Sequence, residues 1–279
     1  VKIEHNAKSV RELIERDFPA QQQLLLELLE DVEAMYRGEL LNRQPCQVPY
    51  HDVRHIYAVF TVAMQIMLGD CRRRGQRCDG LAVRVLACAA LFHDSGYLKP
   101  VGVVGGRGGQ YTFEHVEISK RLARQYLAGK PDWTNDQCHL VAQLIDATRL
   151  GVTDELAEIA APYSGLDGML ASADLLAQVS AENYIDSLPL LYEEFAEAYA
   201  WHGLERLRAA GFVVFDSYAH LLGSSAAFIR HSVLPRLEKM GNHELSLQKY
   251  FGCSSSPYMR QLRANLAQLD TMAVPATCS

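Results

Sequence analysis

Apolar positions recur along this chain at intervals of three and four residues and almost nowhere alternate, which predicts helices rather than strands. One stripe runs through Val53, Ile56, Tyr57, Phe60, Met64 and Met67, and a second through Leu81, Val85, Ala89 and Phe92. The same period, bounded by turn residues, predicts helices over 8–36, 114–129, 134–149, 165–180, 183–209 and 224–240. A last, capped helix is expected from Ser256-Pro257 to Leu269. The sum is an all-α bundle. Residues 1–45 are expected to be N-terminal helices packing on a core domain of 46–195, and 196–279 a helical C-terminal extension of the same globule.

Three segments interrupt the helical pattern: Arg43 to Pro49, the basic CRRRGQR turn from Cys71 to Arg77, and the glycine-rich GVVGGRGGQ from Gly102 to Gln110. The last lacks the terminal Gly-Lys-Ser/Thr of a phosphate loop and follows a helix instead of a strand, so it does not read as a nucleotide cradle. Long glycine loops serve two roles, and a flexible connection is favoured here over a mobile lid beside an active site.

A hydrophobic share of 49% over 279 residues is enough for a sizeable core. The net charge of −6 argues against a dedicated nucleic-acid binder, which needs a concentrated excess of Lys and Arg. No apolar run reaches the roughly 18–20 residues that cross a bilayer, and the opening VKIEHNAKSVRELIERDF has no signal-peptide core, so a soluble, cytoplasmic protein is expected. The seven cysteines include no Cys-x-x-Cys pair and are expected to be reduced thiols.

Polar residues on apolar helices carry the candidate chemistry. Tyr50-His51-Asp52-Val53-Arg54-His55 sets two histidines four residues apart, so on a helix both would emerge from one face. The adjacent pair His93-Asp94 ends the apolar run Ala89-Ala90-Leu91-Phe92, and Asp174 sits inside Met169-Leu170-Ala171-Ser172-Ala173-Asp174-Leu175-Leu176. A buried carboxylate needs a compensating partner. An ion pair or hydrogen bonds could supply it; a metal ion satisfies the imidazole and the carboxylate together, while Gly96 lets the chain turn away at once. His139, His202, His220, His231 and His243 are expected to be surface or structural residues, and Tyr184, Tyr192, Phe195, Tyr199 and Trp201 to be core packing.

The order His55, then His93-Asp94, then Asp174 resembles the H…HD…D signature of the HD superfamily, which includes phosphohydrolases and cyclic nucleotide phosphodiesterases. The flanking YHDVRH, LFHDSGY and SADLLAQVSAENYIDSLPLLYEEF are similar to the corresponding helices of that group, so the resemblance covers about half of the chain, from Tyr50 to Phe195. It implies an HD-domain helical bundle holding a divalent ion (Mn, Fe, Co, Ni, Zn or Mg) in one tight site, with a second site open. His55, His93, Asp94 and Asp174 would be its ligands, and a mixed nitrogen and oxygen shell suits an open, catalytic position. Asp94 would also bridge metals or orient the nucleophile. His51 would be the general acid for the leaving oxygen or would order the shell around the metal. His115, in Phe113-Glu114-His115-Val116-Glu117, resembles the additional histidine that serves a second metal or the substrate phosphate. Binuclear members carry a further histidine where this chain reads Leu144-Ile145-Asp146-Ala147-Thr148-Arg149, which leaves Asp146 as an unusual candidate ligand. Arg149 and Lys99 are candidate phosphate contacts, with surface pairing as the alternative.

The function implied is hydrolysis of a nucleotide or another small phosphomonoester or phosphodiester by a metal-activated water. The alternatives are a non-catalytic metal or nucleotide sensor and a di-iron oxygenase of the same layout. The expected partner is a small phosphorylated substrate, with no nucleic acid and no membrane. The C-terminal helices would form a homodimer surface or close one side of the pocket.

Overall fold

A computed structural model describes residues 5–149 and 165–273, and among these the chain is helical with no strand. One antiparallel bridge, between Arg43 and Pro100, is the only β-type pairing there. The first predicted helix is two, α1 (Ala7–Asp17) and α2 (Gln22–Tyr36). Pro19 explains the break, because it has no N–H to give and it disfavours helical geometry at Phe18. There follow α3 (Val53–Arg74), α4 (Gly80–Phe92), α5 (His115–Ala128), α6 (Asn135–Asp146) and α7 (Leu166–Val179). The expected helix over 183–209 is interrupted at Gly203, whose φ of +85° suits glycine, giving α8 (Tyr184–His202) and α9 (Leu204–Ala209). Next, α10 (Tyr218–Phe228) runs through one π-helical turn, Ile229–Val233, into α11 (Leu234–Lys239). Pro235 sits just beyond the wider turn, where an α-helical carbonyl four residues back would meet its ring. The periodicity did not foretell α12 (Glu244–Phe251), whereas α13 (Pro257–Ala273) falls where the last helix is expected.

The apolar stripe on α3 understates its burial. Every residue from Ile56 to Asp70 is buried, because α1, α4, α7 and α12 surround it. Contact with α12 is backbone to backbone: a Cβ at Gly69 would lie 1.8 Å from the Ser246 carbonyl oxygen. The C-terminal helices thus complete the core. The Tyr258 hydroxyl of α13 donates to Gln65 Oε1 of α3 at 2.8 Å, and Asn265 Nδ2 donates to the carbonyls of Val179 and Ala181 at 2.9 and 2.8 Å, closing the end of α7. The Val179 carbonyl lies in the last turn of α7, where no intrahelical N–H follows, while the Ala181 carbonyl also accepts the Tyr184 N–H at 3.1 Å.

The glycine-rich segment is hydrogen-bonded to the rest of the protein most densely from Gly106 to Gln110. Glu197 Oε1 of α8 accepts the backbone N–H groups of Arg107, Gly108 and Gln110 at 2.8, 3.0 and 3.2 Å. Lys99 Nζ donates to the Gly106 carbonyl at 2.7 Å, and His202 Nε2 bonds the Gln110 carbonyl at 2.8 Å. At Gly108, with φ of +122°, a Cβ would come within 2.3 Å of the Tyr97 carbonyl oxygen, so the loop lies directly on the turn that follows His93-Asp94.

Among the aromatic residues assigned to the core, Tyr184 and Tyr199 are buried and Phe195 stacks on Tyr199, but Trp201 is 62% exposed on the last turn of α8. Six cysteines are free thiols, and Cys278 lies outside the described residues. Among the described residues no helix is long and apolar enough to cross a membrane.

The α3–α12 crossing yields a test. Gly69→Ala should lower unfolding free energy by about 1–3 kcal/mol in urea titration, since backbone on both sides cannot yield to the methyl group. Gly223→Ala, in the interior of α10 with nothing within 4 Å of the added carbon, should be neutral or stabilising by up to about 1 kcal/mol.

Candidate metal centre

The site begins where three buried helices end or pass. Asp52 caps α3, its side chain accepting the Arg54 N–H at 2.8 Å, so His55 lies in the first turn. This cap corrects the expectation that His51 and His55 share a helix face: His51 stands before the helix, and the two rings meet edge to face with centroids 5.5 Å apart. His93 is the C-cap of α4, and Asp94 follows it into a 3-10 turn, Ser95–Tyr97. Asp174 comes from the middle of α7.

These elements bring four side chains to one point. His55 Nε2 lies 3.3 Å from Asp94 Oδ2 and 3.3 Å from Asp174 Oδ1. His93 Nε2 lies 3.2 Å from Asp94 Oδ2, 3.7 Å from Asp174 Oδ1 and 3.4 Å from His55 Nε2. His55, His93 and Asp174 each present a ligand atom within 4.8 Å of the others, a candidate metal-binding triad. Asp94 Oδ2 also reaches both imidazoles, although the three mutually adjacent ligand atoms are those of His55, His93 and Asp174. His93 Nδ1 bonds the Ala90 carbonyl at 2.9 Å, which leaves Nε2 turned inward and fixes the ring as a metal-ligating histidine requires.

The electrostatics follow from burial. Desolvation opposes a charged His55, yet its bonds to Asp174 and Asp94 outweigh that and raise its pKa to about 9. His93 is raised well above its ordinary value against the same opposition, chiefly by Asp94. Burial alone would raise both carboxyls, but His93 and His55 hold Asp94 well below the carboxylate range, and Asp174 is lowered by the same two rings. Two carboxylates thus demand positive charge at the point where the imidazole nitrogens converge. Protons meet that demand here, and a divalent cation fits the same donor set.

Around this core, His115 opens α5 with Nδ1 on the Thr112 carbonyl at 2.7 Å and Nε2 3.5 Å from the other oxygen of Asp94, Oδ1. Burial lowers its pKa, so a neutral ring faces that oxygen. Gly96 makes this approach possible in a way the sequence did not suggest. Its φ is not positive, and its role is space: a Cβ there would lie 2.0 Å from the His115 carbonyl oxygen. Tyr97 stacks on His51 and on His115, with centroids 4.5 Å away in each case.

Sequence reasoning missed Glu194. This residue of α8 is 1% exposed, its Oε2 lies 2.5 Å from His51 Nδ1, and its Oε1 accepts the N–H groups of Tyr50 and His51 at 2.7 and 3.0 Å. A signal was present, since Glu194 falls on the buried face formed by Leu188, Leu191 and Ala198.

The remaining candidates are placed elsewhere. Lys99 is buried with its ammonium on the glycine-rich segment. Arg149 and Asp146 join Glu117 and Lys120 in a surface ion network, with Lys120 Nζ 2.8 Å from Asp146 Oδ1. None of the three makes a contact with His55, His93, Asp94 or Asp174, so surface pairing is the outcome for Arg149 and Asp146.

A metal entering the cluster must displace protons from the histidines. At pH 7 titration calorimetry in buffers of different ionisation enthalpy should detect release of about one proton or more per manganese bound. With His55 raised to about 9, metal affinity should strengthen as pH rises toward that value and weaken as pH falls. His55→Ala and Asp174→Asn should each lose the bound metal, read by elemental analysis after gel filtration.

No family model matches this chain and no curated protein matches it in sequence, so the candidate chemistry rests on the side chains of the cluster themselves.

Proposed function

We propose that this chain is a metal-dependent phosphoester hydrolase of the HD type, acting on a small phosphorylated compound. One observation carries the reading: two inward-facing imidazole nitrogens and two carboxylates converge beside a further histidine whose far nitrogen is held by a buried carboxylate. A structural ion pair would need only the first part. The ordered His51 beside it is what acid–base chemistry requires.

A divalent ion held by His55, His93, Asp94 and Asp174 would supply Lewis-acid polarisation of a phosphoryl oxygen. The rest of the work falls to the chain. Glu194 accepts the Nδ1–H of His51, which fixes the tautomer and the ring plane, and Tyr97 stacks flat on that ring with an interplanar angle of 6°. In its imidazolium form, with Nδ1–H on Glu194, His51 would give the Nε2 proton to the oxygen leaving phosphorus and be left as the neutral Nδ1–H ring, a role that bad leaving groups need and good ones do not. His115, neutral and held at Nδ1, offers Nε2 as a lone pair next to Asp94, where it can accept a hydrogen bond from a water or a protonated phosphoryl oxygen.

Purified protein supplied with manganese, cobalt, nickel, zinc or magnesium should release phosphate from one or more phosphoesters, and Asp94→Ala should abolish that release. Glu194→Gln should retain metal while lowering kcat about a hundredfold on alkyl phosphates and sparing p-nitrophenyl phosphate, whose leaving group departs without a proton. A pair of bound irons with oxygen consumption and no phosphate release would overturn the proposal.

A further inference from the structure

Three helices begin around one open cleft of about 520 Å³. Gln21 is the N-cap of α2, Gly80 the first residue of α4 and Gln137 the third of α6, and each lines the cleft. The volume falls in the range of small-ligand sites. Helix α4 runs from this cleft to His93 at its other end, with every residue from Val85 to Phe92 buried on the way, so the cleft and the candidate metal centre share no residue.

One cation lines the cleft. The Arg84 guanidinium lies over the Trp133 ring, 4.4 Å from its centroid, and Nη2 donates to the Asp132 carbonyl at 2.8 Å. These contacts fix the guanidinium plane without neutralising it. Among the described residues Arg84 makes no ion pair with a carboxylate, and its Nε is buried with no acceptor. A guanidinium held in place and left unpaired is what recognises an anion. The three helix starts add partial positive charge, and the cap of α2 supplies no side-chain acceptor to its first N–H groups. Two amides add donors. Gln137 Oε1 accepts the Thr134 N–H at 3.2 Å, leaving Nε2 for another partner, and Gln21 Nε2 lies over Gly80, where a Cβ would come within 3.2 Å of it.

The rest of the wall limits both the charge and the shape of what fits. Asp132 also lines the cleft, so a dianion would meet a carboxylate as well as the guanidinium. Ala20, Leu24 and Leu81 make the wall apolar elsewhere, and Leu81 is 43% exposed. An exposed leucine beside an unpaired arginine suits a ligand that is charged at one end and hydrocarbon at the other.

We propose that this cleft binds a small monocarboxylate with an apolar tail, its carboxylate on Arg84 and its tail against Leu24 and Leu81. None of His55, His93, Asp94 and Asp174 takes part, so the site is filled whether or not the metal centre cleaves phosphate esters.

Calorimetry on the full chain compares octanoate with acetate, which is the head alone, with heptan-1-ol, which is the tail alone, and with inorganic phosphate. Octanoate should bind at least about tenfold more tightly than each of the other three. Arg84→Met keeps an unbranched side chain over Trp133 and removes the charge, and it should weaken octanoate by at least about tenfold. Leu81→Ser should weaken it by about three- to tenfold, and Asp132→Asn should tighten it by about two- to fivefold. In a Trp201→Phe background Trp133 is the sole tryptophan, and its fluorescence should change with the midpoint that calorimetry gives. Octanoate that binds no better than acetate or heptan-1-ol, or that binds Arg84→Met as well as the wild type, overturns the proposal. Tighter binding of phosphate than of octanoate overturns it as well, and so does Trp133 fluorescence that stays constant at saturating octanoate. Should Arg84→Met lose its helical circular dichroism, the exposed positions decide: opposite effects of Leu81→Ser and Asp132→Asn support the site, and no effect of either overturns it.

Discussion

Two carboxylates, buried Asp94 and half-buried Asp174, stand among apolar helices, and the arrangement around them answers the charge they carry. In water each would be hydrated at no cost; inside a bundle each must be met by a cation or a cationic ring. His55 and His93 meet them, with every nitrogen–oxygen separation at this core between 3.2 and 3.7 Å. Because α3, α4 and α7 each contribute at least one of these groups, the cluster records the relative position of three helices at once. A slip of one turn in any of them would part these carboxylates from the imidazoles that answer their charge. The polar cluster and the apolar packing therefore select the same helix registry.

Much of this was legible in the sequence, for identifiable reasons. Helical periodicity is a local property, so α3 through α7 and the last helix fall where spacing puts them. His93-Asp94 and Asp174 stood out because an ionisable residue inside a run such as Ala-Ala-Leu-Phe or Met-Leu-Ala-Ser-Ala has no cheap explanation. What could not be read depends on contacts between distant segments. His51 sits before its helix because Asp52 takes the cap, a competition between neighbours that spacing does not decide. Glu194 is 143 residues from His51. Gly96 was noticed for the wrong property, backbone freedom instead of the absence of a side chain. Lys99 and Arg149 are candidates by charge type and Asp146 by its place in the resemblance, and neither says which partner wins.

Helix α8 links two features that sequence kept apart. Glu194 and Glu197 lie three residues apart on it. The first holds His51 by ring nitrogen and backbone; the second gathers three N–H groups of the glycine-rich segment. Gly109 lies against the Glu194 backbone, where a Cβ would come within 2.8 Å of its carbonyl oxygen. The segment is thus a buttress behind the histidine that the proposed chemistry uses, and its glycines are there because backbone must approach backbone. Precision at the site is then a matter of support as much as of ligands.

The burial of α3 on all sides also bears on how the chain can be divided. His55 stands on the first turn of a helix whose far end is covered by α12, more than 170 residues later in sequence and joined to it through Gly69 and Ser246. The segment that resembles an HD domain, Tyr50 to Phe195, would as an isolated fragment present that face of α3 to water. The part of the chain that carries the candidate site is therefore packed against the C-terminal helices. Its C-terminal helices are structural members of the candidate site's own scaffold, and an inherited change at their interface would be felt there without touching His55, His93 or Asp174.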